Sequence, residues 1–160
     1  MAIKKQNLSE YDKTTVPNAA NLRFGIVVSE WNANITEALY EGALATLLDC
    51  GAKEGHIVRW NVPGSFELAF GAKKMINTKK VDAVIVIGSV IKGETMHFDF
   101  VCGAAAQGIM DLNVRTETPV IFCVLTDNNM DQAIARSGGK HGNKGTEAAI
   151  AAIKMASLGN

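Results

Sequence analysis

Val81-Asp82-Ala83-Val84-Ile85-Val86-Ile87-Gly88-Ser89-Val90-Ile91-Lys92-Gly93-Glu94-Thr95-Met96-His97 decides the fold of this chain. The run from Val81 to Ile87 is apolar and mostly β-branched apart from Asp82, the pattern of a strand buried on both faces. Beyond it lies a small-residue segment. His97 or a residue nearby then begins a long helix, because Val101, Ala104, Ala105, Gly108, Ile109 and Leu112 recur at steps of three and four. Strand, turn and helix in this order form half of a parallel βαβ unit.

The same alternation extends in both directions. Upstream, Phe24-Gly25-Ile26-Val27-Val28 is another buried strand. A helix follows, with Asn34 and Glu37 as a capping-box-like start and Gly51 as its stop. His56 to Val62 is a weaker strand, interrupted by Arg59 and Asn61, and after Pro63-Gly64 the spacing predicts a helix from about Ser65 to Ile76. Downstream, Pro119 to Leu125 is a fourth strand. Asn129 with Gln132 caps a short helix through Arg136, which Gly138-Gly139 ends, and a last alanine-rich helix from about Asn143 to Ser157 buries Ile150 and Ile153. The expected fold class is α/β: a three-layer sandwich around a central, mostly parallel four-stranded sheet of flavodoxin-like architecture, with right-handed crossovers.

Length and composition narrow the function classes. The 160 residues suit one domain, residues 1–160, with Met1 to Asn21 as a polar N-terminal extension. Sixteen basic and sixteen acidic side chains give zero formal charge, which argues against general binding to nucleic acid or membrane. No run approaches the ~18 apolar residues of a membrane span, so a cytoplasmic location is expected. Cys50, Cys102 and Cys123 are an odd number set far apart in apolar segments, the pattern of reduced thiols. His56, His97 and His141 have no metal-ligand spacing, so no metal is expected.

In parallel α/β folds, ligands bind outside the carboxyl ends of the strands. That rule gathers Trp31-Asn32, Gly64-Ser65-Phe66-Glu67 and Ser89 to His97 at one edge, near the strand end at Phe122 to Thr126. The turn and helix start offer backbone N–H groups and a dipole suited to phosphate. His97 beside them can exchange protons near neutral pH, or it is simply a capping or surface histidine. Trp31 stands in a polar turn where packing does not demand an indole, so a stacking surface is expected. Glu67 can accept hydrogen bonds from a heterocycle or be a first-turn carboxylate. Phe122 reads as core. Arg136, in a glycine-rich link with Lys140 and Lys144, is either a solvated junction or a bidentate phosphate grip.

Four blocks in order carry a more specific signal: Trp31-Asn32, Val62 to Glu67, Gly88 to Thr95 with His97-Phe98-Asp99, and Gly138 to Gly145. Over about Phe24 to Leu158 the chain resembles the lumazine synthases of riboflavin biosynthesis. The resemblance implies condensation of 5-amino-6-ribitylaminouracil with 3,4-dihydroxy-2-butanone 4-phosphate to 6,7-dimethyl-8-ribityllumazine, without cofactor or metal. It implies that Trp31 stacks on the pyrimidine, with Asn32 in support, and that Ser65, Phe66, Glu67, Ser89, Val90 and Ile91 hold its ring edge and ribityl chain. Glu94 and Thr95 match the phosphate-side turn, and His97 the proton shuttle. Phe122 and Arg136 match residues that reach in from a neighbouring subunit, Arg136 to the phosphate, with Lys144 as a supporting charge. Lys92, where arginine is more usual, and Glu94 beside the phosphate turn depart from the pattern.

A shared site implies a homo-oligomer: a pentamer, and with the compact Gly138 to Gly145 link an icosahedral shell, with riboflavin synthase as a possible partner enzyme. In such shells the segment of about Leu8 to Val16 can add an edge strand to an adjacent subunit. The alternative reading is a non-catalytic flavin- or pterin-binding module, or a shell-forming protein of the same fold without turnover.

Overall fold

The computed structural model describes residues 7–160. Four parallel strands form the central sheet in the order β2-β1-β3-β4: β1 (Phe24–Ser29), β2 (Ile57–Val62), β3 (Ala83–Ile91) and β4 (Val120–Asp127). Among the described residues five α-helices accompany them: α1 (Ala33–Asp49), α2 (Leu68–Thr78), α3 (His97–Arg115), α4 (Met130–Arg136) and α5 (Lys144–Ala156). This is the three-layer α/β fold that the alternating pattern predicts.

The strands are apolar on both faces because each face packs against helices. Alternate residues sort cleanly. Phe24, Ile26 and Val28 of β1, Ile85 and Ile87 of β3 and Cys123 and Leu125 of β4 join Ile35, Leu39 and Leu47 of α1 and Ile153 of α5 in one core. Val27, Val84, Val86 and Val124 point the other way, against Leu68, Ala72 and Met75 of α2 and Ile109 of α3. Burying each such side chain stabilises by about 1.5–3 kcal/mol. The β2 strand lies at the sheet edge and is only partly covered, which accounts for Arg59 and Asn61 in its sequence.

Several local expectations change. Helix α1 starts at Ala33, so Asn34 lies within the first turn rather than capping it, and the Glu37 carboxylate is held by the Arg59 guanidinium across on β2. After Gly64 the chain makes a 3-10 turn over Ser65–Glu67 before α2 begins at Leu68. The β3 strand continues to Ile91, because β4 runs equally far and pairs Gly88 through Ile91 with Val124 through Asp127. The turn before α3 therefore shrinks to Lys92–Met96. On α3 only Ala105 and Ile109 are buried, a narrower stripe than the spacing predicts, and Ile150 of α5 is half-buried. Asn129 does cap α4, accepting from the Gln132 N–H at 3.0 Å, and a short antiparallel pair, β5 (Ser137–Gly139) with β6 (Gly142–Asn143), follows it.

Leu8, Tyr11, Lys13 and Val16 make contacts within the chain. The Leu8 N–H donates to the His141 carbonyl at 2.8 Å, and Tyr11 and Lys13 both bind the Asp49 carboxylate. All three cysteines are free, with Cys50 and Cys123 buried and Cys102 half-buried. Burial pushes the Cys123 thiol up to about 12, which leaves it inert as a nucleophile. Among the described residues no helix is long and apolar enough to cross a membrane.

Candidate active site

The carboxyl ends of β1, β2 and β3 open into a cleft of about 730 Å³ lined by Trp31, Asn32, Pro63, Gly64, Ser65, Phe66, Glu67, Ser89, Val90, Ile91, His97 and Val101. Nine of the residues singled out in the sequence meet here, drawn from four separate segments. The parallel sheet is what brings them together: β1 and β3 run side by side, β2 flanks β1, and all three end on the same edge.

Backbone bonds fix the rim. The Glu30 N–H donates to the Val62 carbonyl at 2.9 Å and the Trp31 N–H to the Pro63 carbonyl at 3.2 Å, which joins the turns after β1 and β2. Asn32 Nδ2 donates to the Ser89 carbonyl at 2.9 Å, which ties the β1 turn to the end of β3. The 3-10 turn at Ser65–Glu67 sits tightly against Gly88, where an added Cβ would overlap Ser65 Oγ. Glycine at that position is what lets the segment approach the strand.

Two aromatic side chains stand exposed at the cleft, Trp31 at 72% and Phe66 at 60%. A flat ring inserted there would remove apolar surface from water. The hydroxyl of Ser89 is buried with no partner among the described residues. Glu67 is half-buried at the end of its 3-10 turn, with its carboxylate free to accept. His97 opens α3 and is exposed, its N–H directed at Thr95 Oγ1 at 3.4 Å, and Val101 lies one turn further along the same helix.

Other candidates lie elsewhere. Glu94 and Thr95 are exposed in the turn just before His97 and do not line the cleft. Phe122, opposite Val86 in the register, is half-buried against the α2–α3 side of the sheet. Arg136 ends α4, where its Nη1 donates to the Gln132 carbonyl at 3.1 Å and lies 3.7 Å from Asp127 Oδ1. Lys144, at the start of α5, pairs with Glu147. Among the described residues that line the cleft there is no lysine or arginine.

Pro63 and Val101 line the cleft without being candidates from the sequence: Pro63 reads there as a helix-start signal and Val101 as part of a helix stripe, although its place four residues after His97 is the signal that puts it on the same face. Asp127 was missed altogether. It is 6% exposed, Oδ2 has no hydrogen-bond partner among the described residues, and burial pushes its carboxyl above the ordinary range while Arg136 draws it partly back. No group of three His, Cys, Asp or Glu among the described residues is arranged to hold a metal ion.

A cleft at the carboxyl edge of a parallel sheet, with two exposed aromatic side chains and an imidazole in its lining, places this chain among α/β proteins with a small-molecule-sized site. Residues 21–160 match the family model for 6,7-dimethyl-8-ribityllumazine synthase. The chain is 71% identical over 156 residues to the 6,7-dimethyl-8-ribityllumazine synthase of Flavobacterium johnsoniae, covering 98% of this chain and 82% of that one. It is 64% identical over 159 residues to the enzyme of the same name from Christiangramia forsetii, covering 99% and 95%. With that from Porphyromonas gingivalis it shares 52% over 158 residues, covering 99% and 98%. The chain belongs to the 6,7-dimethyl-8-ribityllumazine synthase family.

Proposed function

We propose that this chain condenses 5-amino-6-ribitylaminouracil with 3,4-dihydroxy-2-butanone 4-phosphate to give 6,7-dimethyl-8-ribityllumazine, phosphate and water, the penultimate step of riboflavin biosynthesis. The convergence of Trp31, Ser65 to Glu67, Ser89 to Ile91 and His97 on one cleft carries this reading.

Trp31 and Phe66 supply ring contact. Glu67 and the polar groups of Ser65 and Ser89 meet donors and acceptors on the pyrimidine and ribityl chain. The pyrimidine's amine attacks the ketone carbon and water leaves as the imine forms; phosphate is then eliminated, and closure by the ribitylamino nitrogen with loss of a second water completes the ring. Each step moves protons, and His97 is the group at the rim able to take and return them. The remaining acceleration comes from holding two reactants side by side.

A phosphate calls for a cation, and among the described residues that line the cleft there is none. We therefore assign that charge to Arg136 of a neighbouring copy, with Phe122 as part of the facing wall, Lys144 in support, and Glu94-Thr95 as the turn on the phosphate side. Exposed apolar side chains support such an assembly: Phe70 of α2 and Phe100, Met110 and Val114 of α3 are each more than half exposed on one subunit. A pentamer, built further into an icosahedral shell, is the arrangement we assign. Three free cysteines fit the reducing cytoplasm.

Purified protein mixed with both substrates and no added cofactor should form lumazine and orthophosphate in equal amounts. Neither product from folded oligomer would leave a binding or shell role instead.

A further inference from the structure

Asn32 is the one non-glycine among the described residues with a positive φ, at 59° with ψ 49°. That left-handed conformation is unfavourable for a side chain, although asparagine tolerates it better than most. Asn32 also occupies the N-cap of α1, yet its side chain makes no capping bond. The usual gain of an asparagine at a helix start is thus forgone in a locally strained backbone.

The amide is used across the cleft instead. In the register between β1 and β3 the last pair is Val28 with Ile87, while β3 runs on to Ile91. The Ser89 carbonyl therefore lies past the reach of β1, and the Asn32 side chain takes the place of the missing strand by donating Nδ2 to it at 2.9 Å. The donor atom is unambiguous, since a carbonyl only accepts. One end of this bond adjoins Trp31, whose ring is exposed; the other belongs to Ser89, which with half-buried Val90 lines the cleft.

We propose that Asn32 is a positioning residue for the pyrimidine substrate: its left-handed backbone aims Trp31 over the cleft, and its amide locks that turn to Ser89 so that both faces of the ring pocket stay in register. It is not a proton donor and need not touch the substrate. The inference rests on the reading of the cleft as the pyrimidine site, and it makes a claim about the unliganded protein that does not.

Two variants test it in a Trp60→Phe background, so that Trp31 is the sole indole. Asn32→Gly keeps access to the left-handed backbone but removes the amide. Asn32→Asp keeps the side-chain shape and sets a carboxylate oxygen against the Ser89 carbonyl. Without substrate, time-resolved fluorescence anisotropy should show faster local motion of Trp31 in both variants, with melting temperatures near the parent's. Quenching of Trp31 by 5-amino-6-ribitylaminouracil should give a dissociation constant raised roughly 2- to 10-fold in Asn32→Gly, as for loss of one neutral hydrogen bond, and further in Asn32→Asp. The KM for the phosphorylated ketone should change less. Unchanged Trp31 motion in both variants overturns the proposal, as does parent-like pyrimidine affinity in Asn32→Gly. If the parent itself fails to bind the pyrimidine, the functional reading fails, while the anisotropy still decides whether Asn32 holds Trp31.

Discussion

Adding one methyl group at Gly88 should damage the cleft from behind. A Cβ at this β3 position would overlap Ser65 Oγ and sit 3.0 Å from Leu68 Cδ1 and 3.3 Å from Ser65 Cβ. Neither neighbour has an exit, since Ser65 is 6% exposed and Leu68 is fully buried. Overpacking of this kind costs about 1–3 kcal/mol. At roughly 2–4 °C per kcal/mol for a chain of this length, Gly88→Ala should melt roughly 2–12 °C below the parent. The strain also has a direction. Relief requires the Ser65–Glu67 turn to move away from β3, widening the cleft on the pyrimidine side. Calorimetry, with steady-state lumazine formation in which each substrate is varied in turn, should show a raised KM for the pyrimidine and a smaller change for the ketone. A melting point within about 1 °C of the parent, together with an unchanged pyrimidine KM, would refute the claim that this close approach shapes the site.

His97→Ala should lower turnover on the order of 10²-fold with assembly and melting temperature retained, as for loss of a general acid–base group; parent-like turnover would remove it from the mechanism. Arg136→Ala should raise the KM for the phosphorylated ketone roughly 10- to 100-fold, the worth of a charge-assisted hydrogen bond, while the pyrimidine KM stays put. Asp127 is expected to set a pH dependence of stability. Because burial raises its carboxyl in the folded chain, folding holds a proton that the unfolded chain has released, so Asp127 costs stability as pH rises from the ordinary carboxylate range through its raised value. Denaturant titrations of Asp127→Asn at about pH 4 and about pH 7 should therefore show the variant gaining on the parent at the higher pH, and an equal difference at both would contradict the assignment.

The opposite sign is expected at the surface. Side-chain hydrogen bonds from Tyr11 and Lys13 hold the Asp49 carboxyl below its usual range, and the Arg59 guanidinium does the same for Glu37. Their contribution is present above the ordinary carboxylate range and fades as pH falls through the lowered values. Both sites are solvent-exposed, so salt weakens them.

The layers and the edge where most cleft-lining residues gather were legible in the chain's apolar patterning. Apolar runs at β1, β3 and β4 can be buried on both faces only between helices, and the strand-end rule then places Trp31, Ser65 to Glu67, Ser89 and His97 on one edge. What it could not supply was whatever depends on a neighbouring strand or on a side chain from a distant segment. The length of β3 was misread because Ser89, Val90 and Ile91 look like a turn until β4 is laid beside them. The start of α1 was misread because Asn34 and Glu37 have capping spacing, whereas Arg59, more than twenty residues away, claims the Glu37 carboxylate. Asn32 and Asp127 are ordinary polar residues in a string of letters. Only tertiary structure gives one a left-handed backbone and a carbonyl to bind across the cleft, and buries the other beside Arg136. Local pattern encodes which face of an element is apolar; which polar group meets which is set by strand register and by the edge at which separate segments arrive.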